Sequence, residues 1–226
     1  MNFDLSQLTL REVNQALHDL PEDGAMEPIY LLNPRGAHAV ACGLRVAAKI
    51  EAQGHVGYYC AGMNQKAEIT IHGSAGTGVA ENMMSGLVRV KGNASQSAGA
   101  TAHGGLLIIE GDASARCGIS LKGADIVVHG SVGHMSAFMA QAGRMVICGD
   151  AGEALGDSIY EARLYVRGSV ASLGADCIEK EMRDEHKAEL IDLLAKSSLP
   201  VEIDGFRRYG SARSLYSFKV DNASSY

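Results

Sequence analysis

The sequence predicts an all-β solenoid, a right-handed parallel β-helix of about seven 19-residue coils with short flanking helices. Three observations predict it. Gly54, Gly73, Gly92, Gly111, Gly130, Gly149 and Gly168 stand at an unbroken spacing of 19 residues. The stretch before each glycine alternates at period two, the signature of a strand with one face buried. All four prolines, Pro21, Pro28, Pro34 and Pro200, lie outside residues 48–177. A stacked ladder that uses its backbone N–H groups excludes proline.

Further columns keep the same period. Three residues after each glycine stand Gly57, Gly76, Ser95, Ser114, Gly133, Gly152 and Ala171, all small. Seven residues after stand Ala61, Ala80, Gly99, Gly118, Ala137, Gly156 and Ala175. Small residues at fixed positions read as corners, where adjacent backbones approach closely and glycine also permits positive φ. Ile69, Val88, Leu107, Ile126, Met145 and Leu164 form one apolar column, and Ile71, Val90, Ile109, Val128, Ile147 and Val166 a second. One coil cannot bury such a face alone, but coils stacked ~4.8 Å apart can. Right-handedness is the expected chirality of parallel crossovers.

Residues 1–47 read as an N-terminal capping segment, 48–177 as the β-helix and 178–226 as a C-terminal helix with a docking tail. Thr9 and Glu12 form a capping-box pattern ahead of Val13, Ala16, Leu17 and Leu20, so a short helix is expected there, stopped by Pro21. Asn33-Pro34-Arg35-Gly36 reads as a turn. Residues 178–196 read as a second helix with an apolar stripe of Met182, Leu190, Leu193 and Leu194. Both helices are expected to cover the open ends of the rod. Arg207, Arg208, Tyr209, Arg213, Tyr216 and Phe218 mix arginine with aromatics, a composition typical of interfaces, and are the candidate partner-docking residues. Deleting residues 206–226 is accordingly expected to leave the rod folded.

Composition narrows the function. A net charge of -6 argues against nucleic acid and anionic membranes as partners. The N-terminus has neither a basic nor an apolar leader region, so a cytoplasmic location is expected. Cys42, Cys60, Cys117, Cys148 and Cys177 are scattered without a CxxC, and read as buried, reduced thiols. The column Gln53, His72, Lys91, Glu110, His129, Cys148 and Arg167 mixes charges as a solvated ladder does. His72 and His129 sit about three rungs, ~14 Å, apart, too far to share a metal. No carboxylate pair is placed for glycosidase chemistry. From the residues, no catalytic, cofactor-binding or metal-ligating residue is assigned. A free-standing polysaccharide enzyme is the least favoured reading, since the chain has no Trp.

The glycine ladder, with spacing such as Gly149-x-x-Gly152-x-x-x-Gly156, resembles the GXGXG domain. That domain forms the C-terminal β-helix of glutamate synthase large subunits and a β-helix chain of formylmethanofuran dehydrogenase. Residues 81–86 (ENMMSG), 133–141 (GHMSAFMAQ) and 172–177 (SLGADC) resemble the stand-alone glutamate-synthase-like subunit of bacterial N-methylglutamate synthase. The resemblance spans nearly the whole chain. It implies a structural subunit that assembles with an amidotransferase-like subunit and an FMN- and iron–sulfur-containing synthase subunit. Together they would convert glutamate and methylamine to N-methylglutamate and ammonia. The FMN and the iron–sulfur clusters are then expected in the partners and not in this chain. A scaffold of a glutamate synthase or a formylmethanofuran dehydrogenase-type complex is the alternative the same ladder allows.

Overall fold

The computed structural model describes residues 1–25, 27–198 and 202–215. Strands β1 (Asn2–Asp4), β2 (Ile29–Leu32), β3 (Lys49–Gln53), β4 (Glu68–Ile71), β5 (Leu87–Val90) and β6 (Leu106–Ile109) stack in chain order. They are followed by β7 (Lys122–Val128), β8 (Ala142–Ile147) and β9 (Arg163–Val166), all parallel. Between β3 and β9 the register advances by 19 residues per rung, as in Ile50↔Ile69, Val88↔Leu107 and Met145↔Leu164. A second line of parallel bridges runs up the solenoid through Val56, Ala75, Ala94, Ala113, Val132, Ala151 and Val170. The chain is therefore the expected β-solenoid.

The interior follows from the alternation. Ile50, Ile69, Val88, Leu107, Ile126, Met145 and Leu164 are at most 1% exposed and form one continuous core. The repeat glycines have a single physical reason. Only Gly54 among them has a positive φ, 141°. At the others a Cβ would strike the rung below: 2.7 Å from the Gly54 carbonyl carbon at Gly73, 2.9 Å from the Gly92 carbonyl oxygen at Gly111. Like the columns five and nine residues on, the column seven residues on is left-handed, with φ of 57° at Ala61, 66° at Gly99 and 58° at Ala137. Its residues are small because they fill the narrow interior corner.

The ladder begins within the segment expected to precede it. β1 pairs with β2, and β2 with β3 across a 21-residue step, Ile29↔Ile50. Helix α1 (Leu10–His18) has the expected capping box, in which the Thr9 side chain accepts from the Glu12 N–H and Glu12 accepts from the Thr9 N–H. Val13 and Leu17 are fully buried in the main core. Asn14 donates Nδ2–H to the Ala39 carbonyl (2.9 Å) and accepts from the Ala41 N–H (3.0 Å). His18 Nε2 lies 2.8 Å from the Cys42 carbonyl. In later rungs the preceding coil supplies such partners; here side chains of α1 do.

At the other end, two expectations are corrected. Helix α2 (Asp184–Ser197) does not cover the open end. It lies along the flank, where Leu190, Leu193 and Leu194 meet Val127, Val146 and Tyr165 in a second, smaller core. The reason is a switch within one outward column: Glu51, Thr70 and Arg89 give way to Ile108, Val127, Val146 and Tyr165. That apolar half must be covered. The seventh coil is also one residue short, since Leu155 bridges Leu173, 18 positions on, where Ala151 bridges Val170, 19 on. The Leu155 carbonyl accordingly accepts from the Gly174 N–H, so Gly174 and not Ala175 continues that column.

Candidate functional site

Of the six candidate docking residues, the structure describes four. Strand β11 (Arg207–Ser211) runs antiparallel and inserts between β9 and β10 (Cys177–Lys180). Tyr209 is 2% exposed and belongs to the chain's own core. Arg207 donates Nη2–H to the Gly168 carbonyl (2.9 Å), the last carbonyl of the glycine ladder, and its guanidinium carbon lies 5.8 Å from the centre of the Tyr209 ring. Arg208 donates Nε–H to the Glu181 carbonyl (2.9 Å). Arg213 pairs with Glu161 at 2.8 Å, both side chains well exposed. Arg207, Arg208 and Tyr209 thus close the rod, while Arg213 stands at its surface. Tyr216 and Phe218 lie outside the described residues.

Asp176 anchors this closure. Its carboxylate accepts from the Ser211 and Ser214 hydroxyls and, at 2.8 Å, from the Ser214 N–H. These hydrogen bonds, Ser211's first and then Ser214's, lower its pKa to about 2. The mixed outward column is paired in the same way. His72 meets Glu51 at 2.6 Å. Lys91 and Arg89 reach Glu110 at 2.6 and 3.0 Å. Burial pushes Glu110 up, but hydrogen bonds from Lys91 and Arg89 outweigh it and hold the carboxyl below its ordinary value. His129, next in the column, is pushed down by burial against the opposing charge of Glu110, and its Nε2 is buried without a hydrogen-bond partner among the described residues.

A polar ladder at the glycine corner escaped the sequence reading. His55, Ser74, Asn93, Asp112, Ser131 and Asp150 each accept the backbone N–H of the residue one rung above, at 2.7–3.2 Å, ending on Ser169. The signal was available: the residue following each repeat glycine always has a short side chain or ring with an acceptor. These side chains are the ones most suggestive of acid–base chemistry in the repeat, and their lone pairs serve the stack.

The thiols do not read as nucleophiles. Burial pushes Cys60 and Cys117 up to about 12 and Cys148 to about 11; at Cys177 burial, with Asp176 and Asp157 adding, gives about 12. Among the described residues no group of three His, Cys, Asp or Glu could hold a metal ion, and no helix is long and apolar enough to cross a membrane. A recess of about 440 Å³ runs beside α1 between Leu17, His18, Arg45, Val46, Met63 and Gln65.

Fold and surface define a class: a β-solenoid whose glycine-corner polar column ties successive rungs together. No protein-family profile matches the chain. It is 58% identical over 225 residues, 99% of each chain, to Protein GlxC of Rhizobium meliloti (strain 1021), and it belongs to the GlxC family.

Proposed function

We propose that this chain is a structural and assembly subunit, without catalytic residues of its own, of a glutamate-synthase-like, FMN-dependent complex. The complex that the sequence resembles most is N-methylglutamate synthase, which forms N-methylglutamate and ammonia from glutamate and methylamine. The observation that carries this reading is how the polar residues are used. The ladder from His55 to Ser169 and the Glu51–His72 and Lys91–Glu110 pairs are tied to backbone or to one another. Such a rod offers shape and edges, not acid–base groups. In this reading the amidotransferase-like and FMN/iron–sulfur subunits carry the chemistry, and the complex works in the cytoplasm. The test is native co-purification from the source cells, with mass spectrometry and a flavin spectrum of the eluate. An amidotransferase-like chain and an FMN protein are expected with it. A chain eluting alone, without flavin absorbance, overturns the assignment.

A further inference from the structure

We infer that the open C-terminal end of the solenoid, centred on Val170 and Leu173, receives an extended backbone segment of a different protein chain, which adds an eighth rung. The inference deepens the subunit reading above and rests on it. Its basis is a hydrogen-bond pattern that stops mid-sequence. At Val56, Ala75, Ala94, Ala113, Val132 and Ala151, the backbone N–H donates to a carbonyl of the next rung at 2.8–3.0 Å. At the same six residues the carbonyl accepts an N–H from that next rung at 2.9–3.0 Å. Val170 is the seventh member of the column, and neither its N–H nor its carbonyl has a partner among the described residues.

The surroundings are equally open. Ser169, Ala171, Ser172 and Ala175 are exposed. Leu173, three residues on from Val170, is 37% exposed. The neighbouring strand is sealed, because β11 covers β9 and Arg207 covers the Gly168 carbonyl. At this corner the unmet donor and acceptor are those of Val170, the width of a single short strand, while the sheet itself ends on the outer edge of β10, which pairs only with β11.

The fold argues against a second copy of this chain as occupant. Head-to-tail stacking would place an N-terminal end on Val170. That end presents α1, whose Asn14 and His18 already hold the first coil's backbone. It also presents the Pro34 corner, where Pro34 has no N–H and its carbonyl is used by the Ala37 N–H (2.8 Å). A two-fold contact between two C-terminal ends would set the strands antiparallel, against the parallel geometry of the column. The complement is a parallel, extended segment of another protein. It offers a carbonyl to the Val170 N–H and, two residues on, an N–H to the Val170 carbonyl. A small side chain over Ala171 lets it approach to rung spacing.

Two measurements on the full-length chain test this. The first places the photo-crosslinking residue p-benzoylphenylalanine at Leu173, and separately at Tyr30 on the flank as control, in the source cells. The second is Val170→Pro, which removes an N–H that no described residue accepts. A hetero-crosslink from position 173 is expected, as is co-purification lowered about tenfold by Val170→Pro at an unchanged Tm. Hetero-crosslinks only from position 30 overturn the end-docking while leaving the subunit reading intact. A homodimeric crosslink from 173 overturns the choice of occupant. So does a 173 crosslink that appears only when residues 216–226 are deleted, since the chain's own tail would then hold the site. The absence of any partner from both positions overturns the subunit reading itself.

Discussion

At the scale of single residues, the stack depends on what is missing from Gly111. A valine there would put Cβ 2.9 Å from the Gly92 carbonyl oxygen and onto the Asn93 Oδ1, which accepts the Asp112 N–H. The rungs above and below fix both groups, so neither can give way. Gly111→Val is expected to cost about 3 kcal/mol, read as a lowered midpoint in chemical denaturation at unchanged slope; a wild-type midpoint would refute the close-approach account. Asp176 gives a second prediction. Its pKa is depressed in the folded chain, so its contribution is present above the ordinary carboxylate value and is lost as pH falls toward about 2. Amide exchange in β11 is expected to accelerate between about pH 4 and 2, ahead of the central strands. In Asp176→Asn that acceleration should be absent, because the titrating group is gone.

At the scale of elements, the two helices solve different problems. α1 replaces a missing rung, so its polar residues matter as much as its apolar ones. Asn14→Leu keeps the bulk but strands the Ala39 carbonyl and Ala41 N–H, and a loss of about 2 kcal/mol is expected. α2 works by burial. Leu193 is fully buried against the flank, and Leu193→Ala is expected to cost about 3 kcal/mol. Exchange should then quicken in α2 while β3–β6 keep their protection; uniform loss across the ladder would refute the two-core description. Both helices were legible in the sequence, α1 from its Thr9–Glu12 box and α2 from its leucine stripe, but residues 178–180, expected to open α2, belong to strand β10 and the helix starts at Asp184. The place of α2 was not legible, because its stripe says only that some surface is covered. The information lay elsewhere, in the change from Arg89 to Ile108 along one outward column.

At the scale of the whole molecule, the solenoid and its register were legible because a 19-residue period repeats the same physical demand seven times. Where a demand occurs once, the sequence was silent. The missing residue after Ala171 leaves every individual column plausible. The Arg207-Arg208-Tyr209 stretch has an interface composition, because closing a rod with a non-consecutive strand uses the same residues as docking a partner. The place of β11 in the sheet changes what truncation should do. Removing residues 206–226 takes away β11, which lies between β9 and β10, along with the buried Phe206 and Tyr209. The shortened chain is expected to expose Leu164, Tyr165 and the second core, and to melt about 10 °C lower or aggregate. Removing only residues 216–226 keeps β11 and the Asp176–Ser214 anchor, so the melting temperature should stay within about 2 °C of the full chain. Equal melting temperatures for the two truncations would mean that β11 is an appendage and that the rod closes without it.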